Sequence, residues 1–337
     1  MKVGFTLGKY APLHHGHQYV IEQGLAETDR MIVMIYNCPE TTPCPLPVRA
    51  QWLRDLYPQV EVIEAWDGPT MVGYTPEIKK CHEQYILQQL KGQRVTHFYC
   101  SELYGDHVSQ ALNAMNCVVD KSRSKFPVSG TSIRANPYLY RQHISSRVYR
   151  DLITNVVFLG APSTGKTTIA DALAKKYHTV WMPEYGREYW EQNQIDRRLS
   201  LKQLVEIAET HLVREEKMLY EANRFFFTDT NAITTYMFSL YYHGKADTKL
   251  KEFALNAAYR YDITFLCEDD IIYENTWDRS GEMYRNTFQK QIVADLTLRK
   301  IPFFRLLGTL EERIETVSHV LERFTKYGNL ADFFSIG

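Results

Sequence analysis

The sequence predicts an α/β protein built from two parallel-sheet domains, and three observations carry that prediction. Short apolar runs alternate with longer helical patterns from one end to the other. Each half opens on a strand that runs into a glycine-bearing turn and then a helix. At 337 residues the chain also has the length of two domains of about 100–200 residues each.

In the first half, Val3–Leu7, Met31–Tyr36, Val60–Ala65, Val95–Cys100 and Cys117–Val119 read as strands. His17–Ala26 reads as a helix with Val20, Ile21, Gly24 and Leu25 on one face, and the proline-rich stretch Asn37–Pro47 as a loop. Around Pro137–Thr154 the pattern turns polar and helical, which places the boundary there and gives domains 1–150 and 151–337. The alternation restarts at Asn155–Gly160. It continues through strands at Thr179–Met182, Arg224–Thr228, Asp262–Cys267 and Ile301–Leu306. The longest predicted helix is Leu201–Tyr220, with Leu201, Leu204, Val205, Ala208, Leu212 and Leu219 at helical spacing.

Composition narrows the function classes. Lys and Arg number 39 against 40 Asp and Glu, so a net charge of -1 argues against a dedicated nucleic-acid or anionic-membrane binder. No run of 18 apolar residues exists, and the N-terminus turns polar too quickly for a signal peptide. The six cysteines form no C-x-x-C, which leaves zinc and haem readings without support. The expectation is a soluble, reduced, cytoplasmic protein.

The sharper motif lies in the second half. Gly160-Ala-Pro-Ser-Thr-Gly-Lys-Thr167 satisfies G-x-x-x-x-G-K-[ST] at every position, between an apolar strand and a helix. Glycines let backbone N–H groups turn toward phosphate oxygens, and the helix N-terminus adds its positive dipole end. Gly160, Ser163, Thr164, Gly165, Lys166, Thr167 and Thr168 are therefore candidate ATP contacts, with Lys166 on the β/γ-phosphates and Thr167 on Mg²⁺. Asp229 ends an apolar strand and would sit beside that loop, to join the Mg²⁺ shell or take a proton from an acceptor hydroxyl. Glu184-Tyr185-Gly-Arg187 follows another strand end. A polar loop from Trp277 carries Arg279 and Arg285, suited to closing over a transferring phosphoryl group. Together these features describe a P-loop kinase for a small substrate.

In the first half the opening strand runs into Gly8-Lys9-Tyr10-Ala-Pro-Leu-His14-His15-Gly16-His17. Histidines beside a glycine at a helix start suit a polyphosphate, because N–H groups and the helix dipole stabilise charge that builds on an α-phosphate. Downstream, Ser129-Gly130-Thr131-Ser-Ile-Arg134 is a hydroxyl-rich cap that could form a second phosphate clamp, with Arg134 facing the leaving pyrophosphate.

The pair G-K-Y-x-P-x-H-x-G-H and V-S-G-T-S-I-R resembles the HxGH nucleotidyltransferases, specifically the nicotinamide mononucleotide adenylyltransferases. Followed by a P-loop domain with Pro-Glu-Tyr-Gly-Arg and Thr-Asp-Thr, it is similar to the bifunctional NadR-type family over nearly the whole chain. That resemblance implies a Rossmann-like adenylyltransferase domain and a P-loop ribosylnicotinamide kinase domain, both using ATP with Mg²⁺. The small-molecule partners implied are ATP, nicotinamide riboside, nicotinamide mononucleotide and NAD⁺, with a homo-oligomer left open. His14 and His17 match the HxGH histidines, with Gly8, Lys9, Tyr10, Gly16, Ser129, Gly130, Thr131 and Arg134 around the first ATP. Arg49 and Trp52 are assigned to the first acceptor, with Trp66 and Tyr74 as further candidates for stacking nicotinamide; Glu184, Tyr185, Arg187 and Asp229 are assigned to the second. Some family members begin with a helix-turn-helix domain, whereas this sequence starts at the catalytic strand, so no operator binding is expected. Two rivals remain at this point: another phosphate acceptor such as pantetheine phosphate, and a nucleotide sensor in which catalysis is vestigial.

Overall fold

The computed structural model describes residues 1–71, 73–194, 198–271 and 282–328. The chain divides into two compact units: Met1–Tyr149, with which residues 326–328 group, and Arg150–Thr325. The sequence boundary lay one residue later and left the last segment with the second domain.

The first unit runs β1 (Val3–Gly8), α1 (His15–Glu27), β2 (Arg30–Tyr36), α2 (Leu46–Leu56), β3 (Glu61–Ala65), α3 (Pro76–Leu90), β4 (His97–Cys100), α4 (Gly105–Leu112), β5 (Met115–Val118), α5 (Gly130–Ala135) and α6 (Ser146–Leu152). Its five strands are all parallel, in the order β3-β2-β1-β4-β5, with Val3 opposite Arg30 and Phe5 opposite Phe98. Met31 through Ile35 are fully buried, the continuous apolar run of a strand covered on both faces. Helix α1 packs close because Gly24 faces the sheet: a Cβ there would stand 2.6 Å from Met31 Sδ.

The second unit runs β6 (Thr154–Leu159), α7 (Lys166–Lys176), β7 (Trp181–Met182), α8 (Tyr185–Asn193), α9 (Leu201–Leu219), β8 (Phe225–Asp229), α10 (Ala232–His243), α11 (Thr248–Asn256), β9 (Ile263–Cys267), α12 (Glu282–Leu298), β10 (Phe304–Leu306) and α13 (Leu310–Arg323). Its parallel sheet has the order β10-β9-β6-β8-β7. Phe158 stacks between Phe227 and Phe265 on one face, where α7 and α13 cover it. Val157, Leu159 and Leu266 face the other side, with Ile233 of α10 and Ile292 of α12. Helices α8 to α11 form a smaller cluster around Tyr189, Leu204, Ile207, Ala208 and Leu250.

In each sheet the first strand lies centrally, with one neighbour reached on each side. That is the switch point at which open α/β sheets leave a crevice beyond their carboxyl ends. Both phosphate motifs lie there. Among the described residues no helix is long and apolar enough to cross a membrane.

Candidate active sites

In the first unit the turn after β1 holds Tyr10 at φ +44°, then His14 as the extended N-cap of α1. The imidazoles of His14 and His17 stack with centroids 3.7 Å apart, and Tyr10 meets His17 edge-on at 5.0 Å. Nδ1 of each histidine is buried without a hydrogen-bond partner. Burial drives both rings toward the neutral form, and Arg123 adds to the effect on each. His14 is pushed down to about 4, and His17, with His14 beside it, well below its ordinary value. Opposite, Ser129 caps α5 by accepting from the Ser132 N–H at 3.1 Å. Arg134 donates to the Ala11 carbonyl at 2.6 Å and to Thr131 Oγ1 at 3.2 Å, which ties the second motif to the first. Gly130 lets the two backbones approach, since a Cβ there would lie 3.0 Å from the Ala11 oxygen.

A cavity of about 580 Å³ is lined by Lys9, His14, His17, Arg123, Ser129 and Arg134, among others. A second, of about 510 Å³, adjoins it through Lys9, Tyr10 and His17 and is walled by Tyr36, Tyr74, Glu102 and His107. Gly8, Gly16, Gly130 and Thr131 line one or the other. The residues of both motifs thus line two adjoining cavities.

Two assignments need correction. Trp52 has no exposed surface and lines neither cavity; it is a core residue of α2. Arg49, 1% exposed, donates to the carbonyls of Cys44 and Tyr36 at 2.9 and 3.0 Å and also to that of Lys9. Its guanidinium is spent on backbone and fixes the loop that presents Lys9. Of the aromatic alternatives, Tyr74 lines the second cavity, whereas Trp66 lines neither.

In the second unit the turn between β6 and α7 has Gly160 at φ +143°, Ser163 at +62° and Gly165 at +81°. A Cβ on Gly160 would lie 2.6 Å from the Cys267 carbonyl oxygen, so the loop start tolerates no side chain. Lys166 is buried, with Nζ 2.9 Å from the Ala161 carbonyl oxygen, which also accepts from Thr164 Oγ1 at 2.8 Å. Thr167 Oγ1 donates to Asp229 Oδ2, while Asp229 Oδ1 is buried without a partner. Burial first, then the Glu184 carboxylate, raises the Asp229 pKa to about 6 against the pull of Lys166, Thr167 and Arg187. Thr168 faces outward on α7.

A further cavity of about 130 Å³ adjoins this loop. Gly160, Lys166, Glu184, Arg187, Thr230 and Asn231 give it polar walls; Trp190, Leu204, Ile207, Phe238 and Tyr242 give it apolar ones. Glu184 and Arg187 stand 3.7 Å apart at the start of α8. Tyr185 does not line the cavity: its ring packs beneath the Arg214 guanidinium and against Tyr189, because its helical position points it away. Arg285 also differs from expectation. It is 4% exposed and donates to the carbonyls of Ser163 and Ile271 at 3.0 and 2.9 Å, supporting the loop rather than standing in a lid. Arg279 lies outside the described residues.

Sequence reasoning missed several groups. Gln289 of α12 accepts from the Ala161 N–H at 2.8 Å, and Arg313 of α13 donates to the Thr164 carbonyl at 2.7 Å. Each lies more than a hundred residues from the loop it steadies, so no local spacing announces it. Thr230 and Asn231, directly after Asp229, were legible as an extension of that strand end.

A search of known families matches residues 155–313 to the AAA domain. The trifunctional NAD biosynthesis/regulator protein NadR of Escherichia coli is 28% identical over 333 residues, covering 90% of this chain and 78% of that one. Its counterpart from Salmonella typhimurium is 27% identical over 325 residues, covering 89% and 78%. The chain is homologous to NadR. Crystal structures of NadR protein in complex with NAD and AMP-PNP, and in complex with NR, are 21% and 23% identical to it. Their TM-scores are 0.55 and 0.56, with 95% of each chain covered, so they share its fold. The two ordered phosphate motifs of this chain carry His14, His17 and Arg134 in one unit and Lys166 and Thr167 in the other, where Asp229 contacts Thr167.

Proposed function

We propose that the chain catalyses two consecutive ATP-dependent transfers that build NAD⁺. In the second unit the 5′-hydroxyl of nicotinamide riboside attacks the γ-phosphate of ATP, giving nicotinamide mononucleotide and ADP. In the first unit the phosphate of that mononucleotide attacks the α-phosphate of another ATP, giving NAD⁺ and pyrophosphate. The observation that carries the reading is the presence of two separate phosphate cradles in a NadR homologue, each joined to its own cavity.

The kinase step rests on Lys166 and Asp229. Lys166 offsets charge on the β- and γ-phosphate oxygens. Asp229, its carboxyl raised to about 6 and one oxygen unpartnered, can accept the proton that the attacking hydroxyl loses. The Thr167 hydroxyl and Asp229 carboxylate are hard oxygen donors already in contact, a pair suited to Mg²⁺. Bound with ATP, that ion would neutralise phosphate charge.

The adenylyl step needs no proton taken by the enzyme, because the attacking phosphate is already anionic. His14 and His17, held neutral by burial, act as N–H donors to phosphate oxygens rather than as charged clamps. Arg134, on the far wall, supplies the positive charge that favours pyrophosphate departure. Incubation of the pure protein with nicotinamide riboside, ATP and Mg²⁺, followed by mass analysis, should give the mononucleotide and then NAD⁺. Recovery of unchanged riboside would refute the kinase assignment.

A further inference from the structure

Helix α9 carries an imidazole that neither proposed step uses. Its buried stripe runs Leu204, Ile207, Ala208, His211, Glu215, Leu219, so His211 occupies a position where the helical period calls for an apolar side chain. The residue is 5% exposed, and its Nε2 is buried with no hydrogen-bond partner. A buried polar atom of this kind ordinarily finds one. Glu215, one turn on, shows the contrast: it is bonded to Thr228, Arg260 and Tyr261.

His211 lines the cavity beside the P-loop, together with Lys166, Glu184 and Thr230. Thr230 Oγ1, reaching the same cavity from the connection between β8 and α10, is also buried and unpartnered. Two elements thus leave orphaned hydrogen-bonding atoms at one cavity. The Glu184 carboxylate, on the polar wall of this cavity, acts electrostatically on both His211 and Asp229. A nucleoside whose 5′-hydroxyl meets Asp229 would bring its sugar to that wall and its flat ring to the apolar one. Burial keeps His211 neutral, pushed down to about 4. A neutral imidazole nitrogen is satisfied by a hydroxyl in either tautomer, since a hydroxyl both donates and accepts.

Resting on the reading of this cavity as the kinase acceptor site, we propose that His211 hydrogen-bonds a secondary sugar hydroxyl of the nucleoside, so that the enzyme selects ribosides over deoxyribosides. A site built around a hydroxyl rejects an analogue lacking it, because its own buried group is then left unpaired.

The test uses the full chain with MgATP and nicotinamide riboside, its 2′-deoxy and its 3′-deoxy analogues. The native enzyme should prefer the riboside in kcat/KM by about 100-fold over at least one analogue. In His211→Leu that preference should fall to within about threefold, through a raised riboside KM, with the KM for ATP unchanged. His211→Gln, which keeps a hydrogen-bonding terminus, should recover part of it. Equal losses on all three nucleosides, or an intact preference in His211→Leu, would overturn the proposal while leaving the kinase reading standing. If His211→Leu does not fold, a His211→Gln enzyme with a wholly unaltered preference and riboside KM would overturn it as well. Failure of the native enzyme to phosphorylate any of the three would remove the acceptor-site reading and this proposal together.

Discussion

The turn after β1 and the turn after β6 leave parallel strands at the same kind of crevice and enter helices that point at it, yet they treat charge in opposite ways. The first presents two stacked imidazoles that burial holds neutral, with Lys9 on the same turn and Arg134 brought in from a distant motif. The second gathers a buried lysine, a threonine and a buried carboxylate around one loop. The difference follows the proposed chemistry. A hydroxyl nucleophile must lose a proton, so the kinase site needs a group to take it. A phosphate nucleophile needs none.

The largest expected effect that would sharpen this contrast is at Asp229. Asp229→Asn should lower kinase kcat by about 100- to 10,000-fold, the range for loss of a positioned base, while adenylylation of supplied mononucleotide keeps its rate. The same change should stabilise the second unit. Burial raises the folded-state pKa from 3.8 to about 6, so the ionised carboxylate costs stability that grows as pH rises through that interval and is absent below it. Removing the charge should therefore recover up to about 2–3 kcal/mol near pH 7, read as a higher unfolding midpoint at pH 7 than at pH 4 relative to the native protein. A kinase still active with asparagine there would break the contrast.

The second effect separates a core role from a binding role in the first unit. Trp52→Ala should destabilise that unit by about 3–5 kcal/mol in denaturant titration, since a fully buried indole leaves a cavity. A raised mononucleotide KM with unchanged stability would instead return Trp52 to the substrate.

These cases show what the sequence could and could not convey. The strands and both phosphate loops were legible because period-two and helical apolar patterns and glycine spacing are local signals. Strand β8, for instance, was read at Arg224–Thr228 and lies at Phe225–Asp229. Arg49 and Trp52 were misread because a cation and an indole look like ligand contacts. Only the helical phase, with Leu46, Arg49, Ala50 and Leu53 buried on α2, turns them inward. On α9 the converse happened. The apolar pattern passed over His211 and Glu215, the polar residues that the deepest stripe of the helix carries.

The smallest effect is in pH dependence. Adenylyl transfer should be flat between pH 6 and 8, because burial pushes His14 down to about 4 and holds His17 well below its ordinary value. The kinase rate should fall as pH drops through the acidic range, because protonated Asp229 can no longer accept the hydroxyl's proton. Matching profiles for the two reactions would mean that the sites do not differ in charge as described.

The central claim is that one chain holds two independent phosphate-transfer sites, and a crossed pair of variants tests it most directly. Lys166→Ala should lower riboside phosphorylation by about 100- to 1,000-fold, yet still convert supplied mononucleotide to NAD⁺ at nearly the native rate. His17→Ala should do the reverse and let the mononucleotide accumulate from riboside. Mixed together, the two should restore riboside-to-NAD⁺ conversion through the freely diffusing intermediate. Loss of both reactions in a folded Lys166→Ala protein would instead mean that a single ATP site serves both, and would contradict the account.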